Sequence, residues 1–251
     1  MPTIRSDLPA LVLDSIDHGE SDKIVTFFCQ DIGKLTAIAK GAHRSKKRFL
    51  NKLELFTFLQ ISYSKSSPAS LSVLTEAELL NSFISLRSNL PCYRTASIIR
   101  EFMLLATGET INDDNVFKLA LWTLHSLDRG DNPKRVLALF LVKLFDFIGY
   151  RPDFASCQGC GKEPGNGNPA TFSVQTGGLV CRECMAQDPN STRILTPGTT
   201  HMIRAIQQQP ISRLNRFKPG GMVLQQILDC FYRYGRHLFQ REIHSWKSMD
   251  R

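Results

Sequence analysis

Four cysteines stand in two pairs, Cys157 with Cys160 and Cys181 with Cys184, with twenty residues between the pairs. Each C-x2-C turn converges two sulfurs, and two such turns complete the tetrahedral thiolate shell that zinc takes at about 2.3 Å. The chemistry expected of this set is structural. Four protein ligands leave a Zn2+ ion no open position for water or substrate, so the metal folds a lobe and does not catalyse. Gly159, Gly161, Gly177 and Gly178 provide the backbone freedom for the turns and for the hairpin between them. No signal peptide is visible at the start of the chain, and a reducing compartment demotes the disulfide reading of the same cysteines. Cys29, Cys92 and Cys230 lie within apolar runs and are expected to be packing residues.

The second chemical feature is the stretch "AIAKGAHRSKKRFLNKLELF". Lys34, Lys40, Arg44, Lys46, Lys47, Arg48 and Lys52 fall in nineteen residues with no acid among them. Such a run repels itself, and a polyanion is the partner that relieves the repulsion. These seven cations are therefore the candidate DNA-binding residues. Phe49, Phe56 and Phe58 are interleaved or nearby, either as faces for stacking on bases or as core. Residues 193–251 hold ten cations against three acids. There, Arg233, Arg236, Gln240, His244 and Lys247 are expected on one helix face, opposite Leu224, Ile227, Leu228, Phe231 and Leu238. Arg233, Arg236 and Lys247 form either a solvated stripe or an auxiliary contact to DNA or an acidic partner.

Several other patterns lead nowhere. His18-Gly19-Glu20 is the H-x-E fragment of zinc deaminases, but neither C-x2-C follows a proline and each is claimed by the other. "GNGNPA" at 165–170 contains Pro169 and lies between the cysteine pairs, so it reads as a loop and not as a dinucleotide fingerprint. "NDDN" at 112–115 precedes an apolar helical run and reads as capping. No phosphate-cradling G-x-x-x-x-G-K-[ST] occurs, which removes the usual route to ATP-driven work. The 251 residues are 42% hydrophobic and 22% charged, with a net charge of +8. That composition is ordinary for a globular protein, and its basic excess favours polyanions. The most apolar stretch, "VLALFLVKLFDFIG", is about 14 residues long and includes Lys143 and Asp146, short of a membrane span. A soluble cytoplasmic protein with no membrane partner is expected.

The elements that must position these residues follow from periodicity. Apolar or β-branched runs start near Leu11, Ile24, Leu35, Leu55 and Leu71, separated by "DHGESD", "QDIG" and "SKSSPAS". Five strands with the longest gap after the third match the OB-fold barrel, and the gap is the basic stretch. From about Asn81 the period becomes helical, as at Phe117, Ala120, Leu121 and Leu124 or Leu137, Phe140, Leu141 and Leu144. Pro133 suits a first helical position and Gly149 a C-terminal cap. The expected fold class is α+β, an N-terminal five-stranded OB-fold barrel followed by an all-helical domain with an inserted zinc-ribbon-like lobe. The corresponding segments are 1–80, 81–153, 154–192 for the lobe, and 193–251 for the rest of the helical domain.

"GESDKIVTFFCQDIGKLTAIAKGAHRSKKRFLNKLELFTFLQISY", "LFDFIGYRP", "CQGCG" and "FSVQTGGLVCREC", in this order, make the chain similar to the bacterial RecO family of DNA repair and recombination mediators. The resemblance covers nearly the whole chain and is most specific at 19–63 and 149–184. It implies binding of single- and double-stranded DNA and annealing of complementary strands without ATP. It also implies help in loading recombinase on strands covered by the single-stranded DNA-binding protein SSB, as a nucleoid-associated, non-catalytic protein. The implied partners are RecR, the acidic SSB tail, held in the helical domain, and RecF in the same pathway. The family's zinc ligands map onto Cys157, Cys160, Cys181 and Cys184, and its basic segment onto Ala39 to Phe49, with His43 where a cation is expected. Two rival classes are a zinc-containing adaptor for acidic peptide tails and a zinc-dependent nucleic-acid enzyme.

Overall fold

Side chains alternate along β2 (Asp22–Cys29), where Val25, Phe27 and Cys29 point inward, and along β3 (Gly33–Ala39), where Ala37 and Ala39 do. This period of two is what a sheet buried on one face requires. The computed structural model describes residues 3–67, 69–107, 114–163, 170–185 and 193–249. With β1 (Thr3–His18), β4 (Phe58–Lys65) and β5 (Ser72–Asn81), the strands close into a barrel in the order β1-β2-β3-β5-β4. A parallel pairing, Ala37 with Ser72 and Ile38 with Val73, closes β3 onto β5. This is the expected OB-fold. Its interior holds Val12, Val25, Phe27, Leu59, Ile61 and Leu74. The fourth strand begins at Phe58, three residues after the apolar run that announced it.

Helices follow. α1 (Ile84–Ser88) leads to α2 (Leu90–Ala106), capped by Asn89, whose side chain accepts the Cys92 amide at 3.2 Å. α3 (Asp114–Asp128) and α4 (Pro133–Phe147) form the centre of the helical domain. In α4 every residue from Val136 to Phe145 is buried, Lys143 included, because its ammonium is held by Asp146 at 2.8 Å and by the Gln207 carbonyl at 3.1 Å. Asn132 caps the start of α4, Pro133 follows it, and Gly149 (φ +82°) ends it. Of the "NDDN" capping expectation only Asp114 and Asn115 lie within the described residues, at the start of α3; Gly165 and Gly167 of "GNGNPA" lie outside them.

The cysteine lobe is a four-stranded sheet in the order β6-β8-β7-β9, made of β6 (Asp153–Cys157), β7 (Ala170–Ser173), β8 (Gly178–Val180) and β9 (Arg193–Leu195). The one-turn α5 (Arg182–Met185) carries the last cysteine. Phe154 stacks on Phe172 at 5.3 Å, and both meet α7, at Phe231 and Tyr234. The lobe thereby shares the core of the helical domain. α6 (Pro197–Gln208) and α7 (Gly221–Phe239) complete that core. Gly235 of α7 lies so close to Phe102 that a Cβ there would stand 2.7 Å from the ring.

α7 differs from expectation at its end. Gln240 adopts φ +51° and stops the helix, so His244 and Lys247 stand on a separate 3-10 turn (His244–Ser248) and not on the face of Arg233 and Arg236. That turn is fixed by the Glu101 carboxylate, which accepts the amides of His244 at 2.8 Å and Ser245 at 2.7 Å.

Barrel and helices are joined by more than a linker. The register of β1 against β2 slips between Val12 and Asp14, which leaves Leu13 without a partner in β2. Its carbonyl accepts Arg100 of α2, and the same guanidinium pairs with Asp14 at 2.8 Å. Arg87 donates to the Leu55 carbonyl at 2.9 Å. Phe117 of α3 lies 6.2 Å from the rings of both Phe28 and Phe58.

Candidate metal centre and basic surface

The sulfurs of Cys157, Cys160, Cys181 and Cys184 all lie within 4.8 Å of one another. Cys160 and Cys181 are 3.8 Å apart, the edge of a tetrahedron whose centre is about 2.3 Å from each thiolate. The set could therefore hold a metal ion. Two backbone amides, Cys181 at 3.2 Å and Gly159 at 3.4 Å, donate to the Cys157 sulfur. Burial resists ionisation of this thiol, but the amides of Cys181, Cys160 and Gly159 outweigh it and bring Cys157 down to about 6. Cys184 is driven the other way, to about 12, chiefly because hydrogen bonding with Cys181 keeps its proton in place. The turns depend on glycine. A Cβ on Gly159 would sit 2.9 Å from Cβ and Sγ of Cys184, and Gly161 and Gly177 have φ of +72° and +64°.

Cys29, Cys92 and Cys230 are buried, and burial raises all three thiols. They pack and do not react.

The basic connection between β3 and β4 is an ordered cap on one end of the barrel. Ala42, Phe49 and Leu53 are buried in the barrel interior, and a 3-10 turn spans Ala42–Arg44. The Ser45 hydroxyl accepts the amides of Arg48 at 3.1 Å and Phe49 at 3.2 Å. The base of the connection is tied to the β1–β2 turn: Asp22 accepts the Gly41 amide at 2.8 Å, and Asp17 pairs with both Lys23 and His43. The Gly41 amide holds Asp22 below the usual carboxylate range, and Lys23 does the same for Asp17. Between these anchors Lys40, Arg44, Lys46, Lys47 and Arg48 are exposed, and among the described residues none forms an ion pair.

Two of the seven predicted cations are placed differently. Lys52 turns inward and donates to the carbonyls of Ala77 at 2.7 Å and Lys47 at 3.0 Å. Lys34 stands half-buried on β3, in register with Phe28 and apart from the run. Nor are the interleaved aromatics open to bases. Phe49 and Phe56 are 3% and 2% exposed, and Phe58 packs on Phe117. Arg48 lies over the edge of the core at Phe49, 5.0 Å from its ring.

The family model described as "Recombination protein O N terminal" matches residues 3–83, and the one described as "Recombination protein O C terminal" matches residues 87–247. The chain belongs to the recombination protein O family. It is similar to the DNA repair protein RecO of Desulfitobacterium hafniense (strain Y51), 29% identical over 244 residues, covering 96% of this chain and 88% of the relative. The DNA repair protein RecO of Halalkalibacterium halodurans is 29% identical over 225 residues, covering 88% of this chain and 86% of that one. That of Rubrobacter xylanophilus is 31% identical over 204 residues, 80% of each. Membership makes this a DNA repair protein, and the barrel, the helical region and the cysteine cluster fall in the order the family resemblance implies. Among the described residues no helix is long and apolar enough to cross a membrane.

Of the C-terminal cations, Arg236 pairs with Glu242 and lies 5.6 Å from the Tyr232 ring, while Arg233 is 3.9 Å from Asp229. Lys247 is exposed on its separate turn. What periodicity missed is the company Arg233 and Arg236 keep. His237, Gln240 and Arg241 join them around one cleft, which Val174 of the lobe also lines. The signal available in the sequence was the density of basic residues at 233–241; the turn at Gln240 that gathers them was not readable.

Proposed function

We propose that this chain is a non-catalytic mediator that binds single- and double-stranded DNA, anneals complementary strands without ATP, and helps load recombinase onto SSB-covered single strands. The observation that carries the reading is the row of five exposed, unpaired cations on a connection held rigid at both ends. Exposed cations outside any ion pair can replace condensed counterions on phosphate backbones, which lowers the repulsion between strands. With Phe49 and Phe56 buried, the contact is to phosphates and is indifferent to base sequence. The metal we assign to the four thiolates is Zn2+ in a structural role: the sulfur spacing suits it and four protein ligands complete its shell. The family likeness supports RecR, the SSB tail and RecF as partners and a cytoplasmic, nucleoid-associated location.

The test is annealing of complementary oligonucleotides coated with SSB, across a salt series. Lys46→Glu, Lys47→Glu and Arg48→Glu together should abolish acceleration in a protein that still folds and still carries metal. Undiminished annealing by that variant would move the activity off the barrel connection. Binding of an acidic peptide with no affinity for DNA would favour the adaptor reading instead.

A further inference from the structure

The cleft between the lobe and the end of α7 has a volume of about 560 Å³ and is lined by Arg233, Arg236, His237, Gln240, Arg241 and Glu242, together with Val174. Its walls are guanidinium groups and an imidazole, with one acid, Glu242, already engaged by Arg236. The Arg233 Nε is shielded from solvent and has no hydrogen-bond partner, since Asp229 at 3.9 Å is beyond bonding distance. Arg233 is thus only loosely paired with Asp229, and 42% of its side chain is exposed. Helix C-termini repel anions through their free carbonyls. Here that objection is weakened, because the Gln240 side chain covers the His237 carbonyl at 2.6 Å.

Arg233, Arg236 and Gln240 rise along the helix by about 4.5 and 6 Å, and Arg236 and Gln240 carry further N–H groups beyond those given to Glu242 and to the His237 carbonyl. Planar guanidinium forks match phosphate oxygens, and among the described residues the apolar part of the lining is one partly buried valine, Val174, a poor anchor for the hydrophobic side chain of a peptide tail. We propose that this cleft is a second phosphate-binding groove, which holds a DNA backbone apart from the one tracked by the barrel connection. The proposal rests on the DNA-binding reading above and adds a second track to it. A protein with two separate tracks holds two strands without forcing them to share one set of cations.

The experiment uses the full-length, metal-loaded chain and fluorescein-labelled oligothymidylate, titrated by anisotropy across salt. Arg233→Gln with Arg241→Gln should lower the salt slope by about 1.4, additively with loss of the barrel cations. Glu242→Gln acts in the opposite direction: freeing Arg236 should raise affinity, a gain that misfolding does not produce. A photo-crosslinking residue at Gln240 should attach to the oligonucleotide. If the wild type binds with a slope that depends on the barrel connection, yet the arginine pair and Glu242→Gln leave that slope unchanged and Gln240 does not crosslink, the second groove is refuted while the first reading stands. Loss of labelled decaglutamate binding in the arginine pair, with DNA binding intact, likewise overturns it in favour of an acidic peptide. A wild type that binds no oligothymidylate takes both readings down.

Discussion

Neutralising Lys46, Lys47 and Arg48 to Gln, compared with the single change Lys52→Gln, separates charge content from charge placement. A count made along the chain gives seven cations in 34–52, whereas the structure leaves five free on the surface and commits Lys52 to two carbonyls. Each phosphate contact on a single strand contributes about 0.7 to the slope of log affinity against log salt, so the five supply about 3.5. Between 50 and 200 mM salt that share alone changes affinity on the order of 10²-fold. The triple change should cut the slope by about 2.1, weakening binding at 0.1 M by about 10²-fold while leaving the affinity extrapolated to 1 M unchanged. Lys52→Gln should leave the slope alone and appear in the urea melt instead, as a loss of about 1–2 kcal/mol from two charge-assisted hydrogen bonds that remain partly hydrated. Anisotropy titrations at four or more salt concentrations, with circular dichroism to check folding, measure all of this. A slope that drops by the same increment for Lys52→Gln as for each surface cation would refute the reasoning, because it would mean that the count alone decides.

Three further outcomes follow from the same geometry. Metal uptake should weaken with acid, and more steeply below pH 6 than above it, because there Cys157 also takes up a proton that zinc must displace; proton release on adding zinc, read with an indicator dye, checks it. Gly159→Ala should weaken zinc retention about 10–100-fold in competition with a colour-forming chelator, since its Cβ meets Cys184 at 2.9 Å. Phe117→Ala should cost about 3–5 kcal/mol in chemical denaturation, because it empties the contacts of this ring with Phe28 and Phe58 between barrel and helices.

The barrel was legible because its strands carry period-two patterns with turn residues between them, and the thiolate cluster because C-x2-C turns have local geometry. Gly159 and Gly161 are read correctly for the same reason. Where a side chain points is set by neighbours far off in sequence, and there the reading stopped. Nothing in "RFLNKLELF" distinguishes Lys52, whose ammonium meets a carbonyl of β5, from Lys47, which faces water. Apolar spacing past Phe239 looked like more helix because Gln240 has no helix-breaking chemistry of its own; Glu101, over a hundred residues away, secures the turn that follows. The interface of Phe28, Phe58 and Phe117 was hidden because an outward aromatic on a strand looks the same whether it meets a base or another domain.

The unpaired residue in the first strand, whose carbonyl is taken by Arg100, has a mechanical consequence. A tether would let barrel and lobe wander and would make the distance between their charged surfaces a distribution set by chain length. Bolted at Leu13 and Asp14 and wedged by Phe117, the two halves hold that distance like the jaws of a fixed calliper, so whatever gap two cargoes keep on this molecule is cut into the fold itself.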